Sequence, residues 1–202
     1  MPKDGSKTRR RILDETTQLV LENGFAGTTI DQILERSGIT KGSFFYHFSS
    51  KAELALELME HFVKADMQEL QVSLEETLAI AEPRQRLLGF VQRFVDIFKE
   101  LDTPYAGCLY ASYLYEPEQF SPDIKQKVAD ALLRWRKELV ALINAAAAKH
   151  PPRIQYDAGS LADLFTVIME GAFITSKALN DAKLTSQQLA HYQQYLTLIF
   201  PD

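Results

Sequence analysis

The sequence predicts an all-α protein of about nine helices, in which a small N-terminal domain precedes a larger helical domain. Three observations lead to this fold class. Apolar residues recur at helical spacing through most of the chain. Capping residues, glycines and prolines divide these stretches at intervals that suit helices. No stretch alternates apolar and polar residues between turn signals, which is the pattern of a half-buried strand. We place the boundary so that residues 1–52 form the first domain and residues 53–202 the second.

Glycine turns separate the first three predicted helices, of which the second and third are short. The first ends at Gly24, and the second runs from a cap at Thr28 or Thr29 to Ser37. Gly38 follows, and a glycine can adopt the positive φ that a tight helix–helix turn requires. Thr40 then caps the third helix. The remaining bounds of the predicted helices are 6–23 for the first, 41–48 for the third, and then 51–81, 83–101, 108–115, 122–149, 157–181 and 186–200.

Prolines and serines mark the ends of the later helices. Ser49 or Ser50 caps the fourth helix, and Pro83 suits the first turn of the fifth. Ser121 precedes Pro122 as a cap before a proline at the first helical position, which opens the long seventh helix.

Composition restricts the class of protein. The chain has 202 residues, of which 46% are hydrophobic and 24% charged, so it can bury a sizeable core. The net charge of −5 by itself disfavours a nucleic-acid partner, but the charge is unevenly distributed. Residues 1–51 hold eight Lys or Arg against six Asp or Glu, a net +2, and the remainder holds 14 against 21, a net −7. The positive charge therefore lies in the first quarter of the chain.

Other features predict a cytoplasmic protein without a membrane partner. The lone cysteine, Cys108, excludes an intrachain disulfide and fits a reducing compartment. The N-terminus lacks the apolar segment of a signal peptide. The most apolar long stretch, residues 158–179, is interrupted by Asp163 and Glu170, so we predict a buried helix there.

The stretch of residues 28–54 has a composition that core packing alone does not explain: it comprises TTIDQILERSGITKGSFFYHFSSKAEL. Phe44 and Phe48 share one face of the third helix. The opposite face carries phosphate donors, a small glycine and aromatic edges, namely Thr40, Lys41, Gly42, Ser43, Phe45, Tyr46 and His47. A helix that enters the major groove of DNA uses such residues. The alternative is a small helical domain with a polar exterior.

This stretch, with its TT, GITKGSF, HF and SK groups in the same spacing, closely resembles the N-terminal signature of the TetR/AcrR family of transcriptional repressors. The resemblance covers residues 8–54, and the chain length, the helix layout and the Gly107-Cys108-Leu109 group also fit. It implies an N-terminal three-helix DNA-binding domain of the helix-turn-helix type, followed by a ligand-binding and dimerisation domain. It further implies a homodimeric repressor that a small, largely apolar or aromatic ligand releases from a palindromic operator.

The resemblance also implies roles for individual residues. Lys41 and Gly42 approach bases, while Thr40 and Ser43 lie at the groove edge. A second group contacts the DNA backbone, with Thr29 and Lys51 on flanking phosphates beside Tyr46 and His47. Phe45 departs from the family pattern, which usually has Tyr, and so lacks a hydroxyl for DNA.

The basic group Arg9, Arg10 and Arg11 has two interpretations. It is either a solvated helical turn or an arm that contacts phosphates or the minor groove.

Helix eight predicts a dimer. Its sequence is apolar on two faces, and such a helix must be buried on two sides. By resemblance, helices eight and nine of two chains form a four-helix interface; the alternative is a monomer with a central helix. The residues predicted for this interface are Leu161, Phe165, Ile168, Phe173, Leu189, Tyr192 and Leu196.

A ligand pocket is implied by resemblance among helices four to eight. Its candidate residues are Phe94, Phe98, Cys108, Tyr110, Tyr113, Trp135, Phe165 and Met169, although each could instead serve core packing. Acids near the apolar stripes, Glu116, Asp163 and Glu170, would suit a cationic ligand or would lie at the surface and at helix ends.

Cys108 offers an alternative mode of control, in which the repressor senses oxidants or electrophiles through this thiol at a helix start. A packed, unreactive cysteine is the other interpretation. We predict no enzymatic activity because the chain lacks the nucleophile, zinc-protease, phosphate and dinucleotide motifs. No histidine is followed four residues later by a typical metal ligand, so neither a metal nor a cofactor is expected.

Overall fold

The computed structural model describes residues 5–116 and 122–202. Throughout these ranges the regular elements are α-helices and none is a strand, as the sequence predicts. The helices, in chain order, are α1 (Gly5–Gly27), α2 (Ile30–Ser37), α3 (Lys41–His47), α4 (Lys51–Glu76), α5 (Pro83–Lys99), α6 (Leu109–Tyr115), α7 (Pro122–Lys149), α8 (Ala158–Leu179) and α9 (Leu184–Ile199). The cap predicted at Ser121 lies outside the described residues.

Most predicted helix ends lie within two residues of the observed ones, and the two larger differences have local causes. Inside α1, Gly24 has φ 74° and ψ 165°, so the regular helix breaks at the predicted residue and a further turn extends the element to Gly27. The end of α4 comes five residues earlier than predicted. There the Thr77 hydroxyl donates to the carbonyls of Ser73 and Leu74 at 3.2 and 2.9 Å and competes with the helical backbone bonds.

The chain folds as two compact units. Within the described ranges, unit 1 comprises residues 5–66, 108–116 and 122–129, and unit 2 comprises residues 67–107 and 130–202. Unit 1 therefore contains α1 to α3, α6 and the first parts of α4 and α7. Its core is formed by apolar side chains from all of these helices, among them Ile12, Ile33, Phe44, Phe48, Leu58, Leu109 and Val128. The boundary predicted at residue 52 falls inside this unit because α4 and α6 complete its core.

Unit 2 is built around an aromatic cluster. Trp135 of α7 and Phe165 of α8 stack with ring centroids 5.8 Å apart, and Phe94 of α5 lies 5.3 Å from Phe165. Tyr192 of α9 closes the cluster, and its hydroxyl donates to the Leu161 carbonyl at 2.8 Å. Burying one such ring contributes roughly 1.5–3 kcal/mol of favourable transfer free energy, so the cluster stabilises unit 2.

By length and composition, α8 is the one helix in the described part of the chain that could cross a membrane. Only 28% of its most apolar window is buried inside the chain. Much of the apolar surface of α8 is therefore not covered by the rest of its own chain.

Candidate functional site

The α2–α3 segment is held by its own caps. Thr29 and Gln32 form a reciprocal capping box, in which the Gln32 N–H donates to the Thr29 hydroxyl at 3.3 Å and the Thr29 N–H donates to Gln32 Oε1 at 2.8 Å. Gly38 ends α2 in the left-handed conformation, with φ 60° and ψ 41°. Thr40 caps α3 by accepting the Ser43 N–H at 3.2 Å. These short-range bonds set the geometry of the turn between the two helices.

The two faces of α3 differ sharply. Phe44 and Phe48 are buried in unit 1, with their rings 5.8 Å apart. Gly42 lies on the other side and is exposed, as is Tyr46, which is 83% exposed, and Lys41 is exposed at the start of the helix. The surface thus presents a cation, a stretch of bare backbone and a large aromatic edge, which together suit contact with DNA phosphates and base edges.

Gly42 leaves the exposed face of α3 open. A Cβ added there would meet no atom within 4 Å. No neighbour within the described chain therefore requires a glycine at this position. The missing side chain leaves the backbone of α3 accessible to another molecule at this position.

The other residues predicted to contact DNA are helix caps or are only partly exposed. The hydroxyls of Thr29 and Thr40 serve as helix caps but lie at the surface. Phe45 is 43% exposed, and Ser43 and His47 are half-buried. These residues lie on or beside α3, and their roles toward DNA stay predictions.

Lys51 has an internal role that the sequence reasoning missed. Its Nζ donates to the Phe25 carbonyl at 2.7 Å and lies 4.5 Å from the centre of the Phe25 ring. Burial lowers the pKa of this ammonium group, and the nearby Glu116 carboxylate opposes the shift. Lys51 thus joins the start of α4 to residues 25–28, which follow the break at Gly24 and form the turn between the regular part of α1 and α2. Its contact with a phosphate stays a prediction.

The basic group at the start of α1 is divided in the structure. Arg9 forms an ion pair with Glu57 of α4, and its guanidinium lies 5.3 Å from the centre of the Phe48 ring. Arg10 pairs with Asp14 one turn along at 3.7 Å, and Arg11 is exposed. Arg9 therefore joins α1 to α4 and to Phe48 within unit 1. The interpretation of Arg10 and Arg11 as an arm that contacts DNA stays open.

Glu116, at the end of α6, binds the same turn as Lys51. Its two carboxylate oxygens accept the backbone N–H groups of Phe25 and Ala26 at 2.9 and 2.7 Å. Sequence reasoning weighed Glu116 only as a ligand contact or a helix-end residue. No local signal identifies this contact, because the partners are about ninety residues apart in the chain.

Two family models match the chain. The family described as "Bacterial regulatory proteins, tetR family" matches residues 12–58, and the "Tetracyclin repressor-like, C-terminal domain" matches residues 83–192, which is more than half of the chain. The chain belongs to the TetR family. It is accordingly a DNA-binding transcriptional regulator and not an enzyme, as the sequence predicts.

Individual TetR-family relatives agree with this assignment. The repressor DhaR of Mycobacterium sp. strain GP1 is 24% identical over 192 residues, which cover 95% of this chain and 90% of DhaR. The repressor NemR of Escherichia coli K12 is 27% identical over 139 residues, covering 69% of this chain and 66% of NemR. A solved TetR regulator from Chloroflexus aurantiacus has a TM-score of 0.77 and 25% identity, and the match covers 97% of each chain.

In this TetR-family chain, the predicted pocket residues are divided between the two units, and those of unit 2 lie in two clusters. Phe94, Trp135 and Phe165 belong to the aromatic cluster of unit 2, and Met169 is half-buried in the same unit. Phe98 lies in a second cluster with Phe173 and Tyr105, with centroids 5.4 Å away from each. The remaining candidates, Cys108, Tyr110 and Tyr113, belong to unit 1.

The unit 1 candidates make specific contacts at α6. Cys108 is the half-exposed N-cap residue of the helix. The Tyr110 hydroxyl donates to Asp66 at 2.7 Å, and burial, reinforced by the Asp66 charge, raises the pKa of Tyr110 well above its ordinary value. The Tyr113 hydroxyl donates to the Ala55 carbonyl at 2.6 Å. Tyr110 and Tyr113 therefore attach α6 to α4 within unit 1.

A cleft of about 440 Å³ opens in unit 2 among the end of α4, the start of α5 and α7. It is lined by Leu74, Leu78 and Arg86 among others, and its described lining includes none of the predicted pocket residues. Asp163, one of the acids considered for a cationic ligand, pairs instead with Arg136 through two contacts of 2.7 Å.

Six of the seven residues predicted for the dimer interface are buried inside a single chain. Ile168 is half-buried, and the six are Leu161, Phe165, Phe173, Leu189, Tyr192 and Leu196. The exposed apolar side chains are different residues of the same two helices: Val167, Ile174 and Leu179 on α8, and Tyr195 and Leu198 on α9. Helical spacing identifies two apolar faces of α8 but cannot say which one packs on its own chain.

Proposed function

We propose that this protein is a homodimeric, cytoplasmic repressor that binds a palindromic DNA operator through α3 and leaves it when a small, largely apolar or aromatic ligand binds. The observation that carries the proposal is the exposed surface of α3, where Lys41, Gly42 and Tyr46 are open to solvent while Phe44 and Phe48 are buried. Lys41 supplies a cation for a phosphate or a guanine edge, and Gly42 allows the backbone to come close to the groove.

The exposed apolar face of α8 supports the dimer. Val167, Ile174 and Leu179 are each more than 60% exposed. Removing such apolar side chains from water lowers the free energy, so their burial would favour association. A second copy that packs its own α8 and α9 on this face would bury them. Two α3 helices could then meet successive major grooves, whose half-sites lie about 34–36 Å apart on one side of the duplex.

The aromatic cluster of unit 2 supports an apolar or aromatic ligand. Phe94, Trp135 and Phe165 are buried against one another, and Phe98 and Met169 lie in the same unit, so a ligand admitted among them would meet apolar and aromatic side chains. Trp135 is the single tryptophan of the sequence, so its fluorescence reports directly on this cluster. Titration with candidate aromatic compounds should change Trp135 emission and release DNA at the same concentrations. Release without any change in emission would place the ligand elsewhere.

A second candidate function is redox or electrophile sensing. Cys108 is a half-exposed thiol at the N-cap of α6, and the relative NemR has been solved in what is described as its reduced form. Treatment with an electrophile should then release DNA from the wild-type protein and not from Cys108→Ser. Equal release from both proteins would exclude Cys108 as the sensor.

DNA binding is tested with a duplex that the wild-type protein itself selects from a randomised pool. Lys41→Ala and Tyr46→Ala should each weaken binding by about tenfold or more, since one good base or phosphate contact is worth about 1–3 kcal/mol. Lys41→Ala should also reduce the salt dependence of binding. Lys137→Ala removes an exposed lysine from unit 2 and serves as the matched control. If the α3 variants bind as well as the control, α3 is not the DNA-binding helix.

A further inference from the structure

We infer that Glu116 is a positioning residue for DNA binding: from the end of α6 it fixes the turn between α1 and α2, and through that turn the helices that meet DNA. One carboxylate oxygen accepts the Phe25 N–H at 2.9 Å, and the other accepts the Ala26 N–H at 2.7 Å. Hydrogen bonds to an ionised acceptor are roughly twice as strong as neutral ones. This pair of bonds therefore attaches α6 firmly to the turn.

The turn is shaped to receive this carboxylate. Gly24 has φ 74° and ψ 165°, a conformation that residues with a side chain rarely adopt. A Cβ at Gly24 would lie 2.7 Å from Oε1 of Glu116. The backbone conformation and the missing side chain thus both favour the same contact.

Lys51 binds the same turn through the other backbone group of Phe25, its carbonyl. Phe25 donates its N–H to Glu116 and accepts at its carbonyl from Lys51 Nζ at 2.7 Å. Tyr113 of α6 adds a bond to the Ala55 carbonyl of α4 and packs on the Phe25 ring with centroids 6.0 Å apart. The start of α4, the end of α6 and the turn are consequently joined around Phe25.

The turn continues directly into the DNA-binding helices. The Thr28 hydroxyl donates to the Gly24 carbonyl at 2.8 Å, and the Thr28 N–H donates to the Phe25 carbonyl at 3.2 Å. The next residue, Thr29, caps α2. A displacement of α6 would break the Glu116 bonds and free the turn that sets where α2 and α3 begin. This role of Glu116 rests on the proposed DNA binding through α3. The Glu116 bonds are the contact through which a displacement of α6 would change the position of α3.

The first test compares Glu116→Ala and Glu116→Gln with the wild type, using the duplex that the wild-type protein selects from a randomised pool. Glu116→Ala should weaken binding by about tenfold, because the binding-competent turn would be populated only about a tenth of the time. Glu116→Gln keeps one acceptor oxygen and should give a smaller loss. The salt dependence of binding should stay unchanged, since no phosphate contact is removed.

The direction in which DNA affinity changes in Glu116→Ala distinguishes a positioning role from a simple charge effect. Removal of a negative charge from a DNA-binding unit should by charge alone tighten binding. Asp123→Ala removes an exposed carboxylate from unit 1 and is the matched control for this effect. Weaker binding by Glu116→Ala together with unchanged or tighter binding by Asp123→Ala supports the inference. Unchanged or tighter binding by a folded Glu116→Ala overturns it.

Amide hydrogen exchange supplies a readout that needs no DNA. In Glu116→Ala, and to a lesser degree in Glu116→Gln, exchange at Phe25 and Ala26 should become faster while exchange in the core of α1 stays slow. Unchanged protection at these two amides overturns the inference. If the wild type selects no duplex, the proposed function fails, and the exchange result still decides whether Glu116 fixes the turn. If Glu116→Ala does not fold, the near-isosteric Glu116→Gln is used for both measurements.

Discussion

The carboxylate of Glu116 occupies the space that a side chain on Gly24 would need: a Cβ built on Gly24 would lie 2.7 Å from Oε1 of Glu116. Gly24→Ala should therefore destabilise the protein by roughly 1–3 kcal/mol, because Ala is also strained at the backbone conformation of this residue. Urea unfolding measures the change. In Gly24→Ala/Glu116→Ala, the loss should be smaller than the sum of the two single losses. Strict additivity would mean that the two side chains do not compete for this space.

Gly42, unlike Gly24, has room for a side chain. Its surroundings are open, and a residue with higher helix propensity should stabilise α3. We expect Gly42→Gln to raise the free energy of unfolding by about 0.5–1 kcal/mol and yet to weaken DNA binding by about tenfold or more, because the new side chain would stand between backbone and groove. Thermal melts and fluorescence anisotropy with the selected duplex measure the two effects. Equal DNA affinity would show that α3 does not approach DNA at this position.

The exposed face of α8 predicts how a single charge would affect assembly. Ile174 is 61% exposed in the single chain, so Ile174→Glu should leave the protomer folded and convert the dimer to a monomer. Light scattering coupled to size exclusion measures the mass. Leu133→Glu places the same charge on α7, where Leu133 is 50% exposed, and should leave the mass unchanged. A wild-type protein that is monomeric at micromolar concentration would contradict the proposed dimer itself.

The buried face of the same helix should respond differently. Phe165 is fully buried against Phe94 and Trp135, so Phe165→Ala should cost about 3–5 kcal/mol of stability even in a monomer. Val167→Ala, on the exposed face, should cost little in a monomeric background such as Ile174→Glu. Urea titrations of the two variants in that background measure the contrast. Similar losses at both positions would mean that the two faces of α8 are assigned wrongly.

Glu53 predicts a pH dependence at the start of α4. Hydrogen bonds from the Ser49 hydroxyl and then from the Ser49 N–H lower the pKa of its carboxyl. A carboxyl whose pKa is lower in the folded state stabilises the fold above its ordinary value of about 4.3, and this contribution disappears as the pH falls through the folded value. The melting temperature of the wild type should thus fall between about pH 5 and pH 3 more steeply than that of Glu53→Gln. Parallel curves for the two proteins would show that protonation of Glu53 does not affect the stability of the fold.

Short-range signals determined much of the fold, because they act between residues close in the chain. Thr29, Gly38 and Thr40 occupy the predicted cap and turn positions, and Pro83 opens α5 as predicted. The burial of Phe44 and Phe48 on one face of α3 also follows from their spacing of four residues. The all-α class, the family and the exposed polar face of α3 could therefore be predicted from the sequence.

Long-range contacts decided what the sequence left open. The ammonium of Lys51, the guanidinium of Arg9 and the carboxylate of Glu116 each bind a partner that is distant in the chain. Helical periodicity cannot predict such pairings, because it specifies which face of a helix is apolar or polar but not which element that face meets. For the same reason, the sequence indicated that α8 is apolar on two sides, and only the tertiary structure decided that Phe165 faces its own core while Val167 and Ile174 face outward.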